Sequence, residues 1–205
     1  MEMSGFSRMG MIAFIFAGLV PFLALMESNT LATAAIKQNI HLVKNVIVPI
    51  DLIPVRVAII AMIGSLIGFA LTVTILAFDG TLSTYAFLLP IIILLQLVFM
   101  IGMAWLLACL GVLLPDTAYV INTVMIALLF ISPIGFRADL IPDSLAFITF
   151  LNPAYYIIES YRVVLLDGFA AGWPIVGMFS AISVVMFIIG AAFFHRLTGA
   201  LVDYE

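Results

Sequence analysis

Charge is what this sequence has least of. Only 9% of its 205 residues are Asp, Glu, Lys or Arg, while 66% are hydrophobic and the mean hydropathy is +1.35. A water-soluble domain covers itself with about 25% charged residues, so this chain must meet lipid over most of its outside. Basic residues are scarcest: seven Lys and Arg stand against eleven Asp and Glu, net charge -4, with no basic run. Nothing there can neutralise a phosphate backbone, which excludes nucleic acid as a partner. Cysteine occurs once, at Cys109 in an apolar run, so no intrachain disulfide is possible and the thiol reads as packing.

Chemistry-bearing motifs are missing too. The sequence has no GxxxxGKS/T loop, no HExxH pair and no GxSxG elbow. His41 and His195 both fall outside the apolar runs and read as solvated interfacial residues. The middles of those runs hold only Gln96, Asn122, serines and threonines as polar side chains. Ion-coupled transporters and pumps keep an ionisable residue near the midplane, so a secondary transporter is disfavoured. Any transport would draw its work from another subunit.

What is present is a series of charge-poor stretches long enough for a hydrocarbon core of about 30 Å, which takes roughly 17–25 helical residues. Five are expected: Met9 to Met26, Ile53 to Phe78, Leu88 to Leu114, Ala118 to Ile134 and Pro174 to Phe194. The segment before the first is too short and too weakly charged for a secretory leader, and that stretch is expected to remain as an anchor. Asp79-Gly80-Thr81 is turn chemistry, and Leu114-Pro115-Asp116-Thr117 joins a helix breaker to an N-cap, so both mark tight helical hairpins. Gly10 with Gly18, and Gly64 with Gly68, are weak small-residue packing signals. The fold class expected is an all-α polytopic membrane bundle.

Two segments between spans are patterned. In Glu27 to Asp51, Lys37, His41 and Lys44 follow i, i+4, i+7 beside Ile36, Ile40, Val43 and Ile47, which predicts an amphipathic helix between Thr30 and Val48. Such a helix lies on the membrane surface or docks a soluble partner. In Gly135 to Trp173, Leu145 to Leu151 leads to Asn152-Pro153, then Ala154 to Leu166, then Asp167-Gly168. Asn, Pro and Gly there are start and stop signals for a helix too short to cross the hydrocarbon. Glu159 and Arg162, three apart, can pair on one face. A re-entrant hairpin fits better than a sixth, proline-kinked span, which would leave Asn152, Glu159 and Arg162 near lipid. Counting basic residues barely decides the orientation: Arg8, Arg137 and Arg162 fall on one side, Lys37, Lys44, Arg56 and Arg196 on the other, with the lysine cluster favouring a cytoplasmic 27–51 segment.

In order, these features resemble the membrane-spanning permease subunits of ABC-2 type exporters, most closely those for O-antigen, capsule and teichoic acid polysaccharides. The resemblance is carried by Ala17 to Phe22 with Asn39 to Pro54, by Ile131-Ser132-Pro133-Ile134 followed by Asn152-Pro153, Glu159, Arg162 and Leu165 to Gly168, and by the tail Leu201 to Glu205. Family members begin with an amphipathic helix and a further span that this sequence does not contain, so a truncated chain or a late start is expected. The family's Arg-Asp after its fourth span stands here as Pro115-Asp116, and its Trp as Phe22.

The resemblance implies that residues 1–205 form one ABC-2 transmembrane domain in the inner membrane, with the carboxyl end cytoplasmic. It implies a homodimer in the bilayer, two copies of an ATP-binding subunit that hold ATP and Mg, and a polysaccharide or lipid-linked glycan as substrate. No cofactor is expected in this chain and no catalysis, since ATP hydrolysis is placed in the separate subunit. Lys37, Gln38, His41 and Lys44 would couple to the ATPase. Phe147, Phe150, Asn152, Pro153, Tyr155, Tyr156, Glu159 and Arg162 would form an outer gate and glycan path. Phe147, Phe150, Tyr155, Tyr156 and Tyr161 are candidates for stacking on sugars, or for an aromatic belt at the interface. The rivals are an ABC-2 permease for a drug or lipid, a membrane-embedded enzyme, and a non-transporting scaffold.

Overall fold

The structure is a computed structural model and describes residues 7–39, 49–137, 147, 150–166 and 172–203. Among the described residues the main helices are, in order, α1 (Arg8–Gln38), α2 (Leu52–Asp79), α3 (Leu89–Leu113), α4 (Thr117–Ile131), α5 (Pro153–Leu165) and α6 (Trp173–Asp203), with a 3-10 turn, Thr84–Leu88, leading into α3. The only β pairing among the described residues is an isolated antiparallel bridge between Leu82 and Leu166. The chain is an all-α membrane bundle. Among the described residues four helices are long and apolar enough to cross a bilayer, and large side chains such as Ile67, Phe78, Phe87, Phe130 and Ile188 stand exposed on the outside, where only lipid suits them.

Helix α1 is the centre of the bundle. Half of its most apolar 18-residue stretch is buried, against 17% in α6. The sequence predicts that the first span ends near Met26 and that a separate surface helix begins near Thr30. Instead α1 runs unbroken for 31 residues, about 46 Å at 1.5 Å per residue. Beyond Met26 the helix carries Ser28, Asn29 and Thr33, which are buried inside the bundle, so these side chains interrupt the hydropathy without interrupting the helix. His41 and Lys44 lie outside the described residues.

The two predicted hairpins form, each with a definite local cause. Gly80 stops α2 in the left-handed conformation at φ 72°, which costs a glycine nothing. At the α3–α4 turn, Thr117 Oγ1 donates to the carbonyls of Leu110 and Leu114, at 3.1 and 2.7 Å. The threonine thus caps the end of α3, whereas the Asp116 side chain caps nothing. Of the five expected spans, the stretch 118–134 differs: α4 has 15 residues, about 22 Å, short of a hydrocarbon core.

Close helix packing is set by glycines. A Cβ on Gly102 would lie 2.5 Å from the Met186 carbonyl oxygen, one on Gly190 2.1 Å from that of Gly102, and one on Gly111 1.7 Å from that of Thr33. Backbones meet at these points, as small residues permit in membranes. Of the glycines singled out in sequence, Gly18 and Gly68 sit against neighbours and Gly64 faces open space. Cys109 is buried with Ile36, Ala108, Val112 and Phe194.

Hydrogen bonds fix which ends lie together. Ser7 donates to Asp79, and the Ser83 amide donates to the Leu165 carbonyl at 3.0 Å, so the start of α1, the end of α2 and the end of α5 share one end of the bundle. At the opposite end Trp105 Nε1 donates to the Asp51 carbonyl at 3.0 Å.

Candidate functional site

Helix α5 begins as its sequence dictates. Asn152 is the N-cap, its Oδ1 accepting the Ala154 amide at 2.9 Å, and Pro153 occupies the first turn, where its missing N–H costs nothing. The helix ends at Leu165, and Leu166 turns to extended backbone paired with Leu82. Asp167 and Gly168, expected as its stop, lie outside the described residues. The helix has 13 residues, and all but Pro153 and Tyr156 are buried. Of the preceding half of the expected hairpin, Phe147, Phe150 and Leu151 are described; all three are helical and exposed.

Two polar anchors hold α5 to the corner where α4 stops. Asn152 Nδ2 donates to Ser132 Oγ at 2.8 Å, and Arg162 Nη2 donates to the Ile134 carbonyl at 2.7 Å. The short α4 ends where Pro133 turns Ser132 to extended backbone, and α5 runs onward to the Leu82–Ser83 corner. The separated residues Ser132, Asn152 and Arg162 therefore form a single construction.

Arg162 is wholly buried and its environment accounts for the charge. Nη1 meets Glu159 Oε1 at 2.7 Å, so the pair expected from the i, i+3 spacing is formed. The guanidinium carbon lies 3.7 Å from the centroid of the Phe14 ring, a cation–π contact with α1. Gly18, one turn further along α1, leaves the space: a Cβ there would come within 3.2 Å of Arg162 Nη2 and 3.0 Å of Ile158 Cγ2. Only Nε is left without a hydrogen-bond partner. Phe14 and Gly18 are invisible as functional residues in sequence, because nothing about an apolar span marks which residue will face an arginine from another helix.

A second polar link lies alongside. Tyr161 Oη donates to Gln96 Oε1 at 2.6 Å, and Gln96 Nε2 donates to the Pro21 carbonyl at 2.8 Å. The ring of Tyr161 is stacked on Phe69, centroids 4.8 Å apart and 7° from parallel, and no part of it is exposed. That face is occupied, so Tyr161 is not available to a sugar. Tyr155 is buried edge-on between Phe150 and Tyr156, whereas Tyr156 is half-buried with its hydroxyl donating to the Phe150 carbonyl at 3.0 Å. Exposed aromatic faces here belong to Phe147 and Phe150.

At the other end of α1, Lys37 and Gln38 are exposed in the last turn. They do not meet the α5 cluster: Pro21 and Lys37 are 16 residues apart on one helix, about 24 Å. Among the described residues no group of three His, Cys, Asp or Glu could hold a metal ion.

No protein-family model matches the chain. It is 22% identical over 186 residues to an O-antigen export system permease protein RfbA of Klebsiella pneumoniae, a match covering 90% of this chain and 71% of that protein. A second Klebsiella pneumoniae protein of that name is 20% identical over the same shares. The O-antigen export system permease protein RfbA of Myxococcus xanthus is 22% identical over 157 residues, 75% of this chain and 60% of the relative. The chain is thus similar, along most of its length, to the ABC-2 type permease subunits of O-antigen export systems.

Proposed function

We propose that this chain is the membrane-spanning subunit of an ATP-driven exporter that moves a polysaccharide or lipid-linked glycan across the inner membrane. The observation that carries the reading is the buried half-length helix α5, anchored through Asn152 and Arg162 to the corner at Ser132–Ile134, in a chain similar to permeases named for O-antigen export. Irregular backbone and a charged pair at membrane depth are tolerated where protein shields them or a conduit is lined. In this reading residues 1–205 are one transmembrane domain, the α5 end faces outward, and the Lys37 end and the carboxyl terminus face the cytoplasm. Two copies form the conduit. Separate subunits bind ATP and Mg, hydrolyse the nucleotide and push on Lys37, Gln38, His41 and Lys44. The work of this chain is conformational, with no bond made or broken on it.

The test is purification of the tagged protein from native membranes in mild detergent, beside a strain lacking the gene. An ATP-binding subunit should accompany the protein stoichiometrically and be lost from the Lys37→Glu, Lys44→Glu variant, and the deletion strain should lose surface glycan. An intact protein without an ATPase would overturn the reading in favour of a scaffold. Normal glycan with altered drug tolerance would overturn the substrate.

A further inference from the structure

Pro21 is buried within α1 and has no amide hydrogen, so the Ala17 carbonyl lacks its helical donor and the helix is weakest between them. Around this joint α5 takes hold of α1 twice. Arg162 lies against Phe14 and beside Gly18 on one side, while at the joint itself Tyr161 reaches the Pro21 carbonyl through Gln96. Gln96 and Tyr161 are both wholly buried. An amide has no reason to be in an apolar span except its partners, and here both of its ends are used on other helices.

We propose that Gln96 and Tyr161 are positioning residues of the gate: they form a latch that ties the set of α5 to α1 at Pro21, where the helix lacks one backbone hydrogen bond. The proposal rests on the export reading, in which Lys37 lies at the driven end of the same helix. When the inner part of α1 swings about the joint, the Pro21 carbonyl moves relative to Gln96. The link either pulls Tyr161, and α5 with it, or breaks and frees α5 from α1. Phe69, stacked on Tyr161, keeps the ring in register while the hydroxyl bond is exchanged.

The test uses the full chain in lipid nanodiscs with Cys109→Ala and a reporter Ala154→Cys, at a position 1% exposed at the start of α5. The rate of reaction with a small water-soluble thiosulfonate reports release of α5. Tyr161→Phe should speed labelling about fivefold, as expected for one lost hydrogen bond, and Gln96→Leu, which removes both bonds of the link, at least as much. Together they should act no more strongly than the larger single effect, because they break one link. Val164→Ala, a cavity elsewhere on α5, should instead multiply with Tyr161→Phe, as independent sites do. With Pro21→Ala, which restores the donor to Ala17 and keeps the carbonyl that Gln96 uses, Gln96→Leu should have a smaller effect, because the stiffened helix swings less about the joint. Unchanged rates in both single variants, multiplicative effects, or an undiminished Gln96→Leu effect beside Pro21→Ala would overturn the latch. Labelling needs neither ATPase nor glycan, so its outcome is separate from that of the export reading.

Discussion

Asn152 and Ser132 are 20 residues apart in the chain and 2.8 Å apart in space, and the same asparagine caps α5 with its other atom. One side chain thus starts the helix and fixes where it starts. Asn152→Ala should lower the melting temperature in detergent more than Ser132→Ala, since it removes a cap worth about 1 kcal/mol in addition to the shared bond. The double variant should be little worse than Asn152→Ala alone. Equal, additive losses would show that the bond does not join the two.

Glu159 and Arg162 call for a more severe outcome. Truncating Glu159 to alanine leaves a buried guanidinium without its counter-charge, a change that costs about 3–5 kcal/mol for buried pairs. Glu159→Ala should therefore reduce the amount of folded protein sharply. The reversed pair Glu159→Arg, Arg162→Glu should recover only part of the loss, since Arg162 also serves the Ile134 carbonyl and the Phe14 ring. Full recovery would mean that the charges alone matter.

The glycines separate into two kinds. Gly111→Ala and Gly190→Ala push a methyl group into backbone at 1.7 and 2.1 Å, and overpacking of this sort costs about 1–3 kcal/mol or more. Gly64→Ala meets nothing within 4 Å and should be neutral or slightly stabilising. Melting of the three purified variants checks the ranking.

Exposed and buried aromatics should likewise differ. Phe150→Ala, at a residue 57% exposed, should leave the folded protein intact while lowering glycan export if its face meets the substrate. Tyr161→Ala removes a buried ring and should cost about 3–5 kcal/mol, as aromatic truncations in cores do. Export from cells with matched protein levels distinguishes the two.

Much of this was legible in the sequence because lipid imposes simple rules. Three of the charge-poor runs gave spans close to the expected bounds, and Asp79-Gly80, Pro115 and Asn152-Pro153, which act locally, each produced the expected turn or helix start. The unbroken α1 was not legible. Ser28, Asn29 and Thr33 look the same to a hydropathy pattern whether they end a span or turn into a bundle, and only neighbouring helices decide. The end of α4, by contrast, has a local cause: Pro133 disfavours helical backbone at Ser132, which is extended at ψ 143°, and α5 then uses Ser132 and the Ile134 carbonyl as anchors. In the site, the Glu159–Arg162 spacing announced a pair, while the choice of Phe14 and Gly18 as its surroundings depends on how α1 and α5 are placed.

The seating of Gly102 on Met186, and of Gly190 on Gly102, has a mechanical corollary. Two helices whose backbones touch at such a point, with Trp105 wedged against Phe187 and Phe194 below it, have no layer of side chains to slide upon. They behave as a single plank. Any rearrangement of this protein must then carry α3 and α6 together.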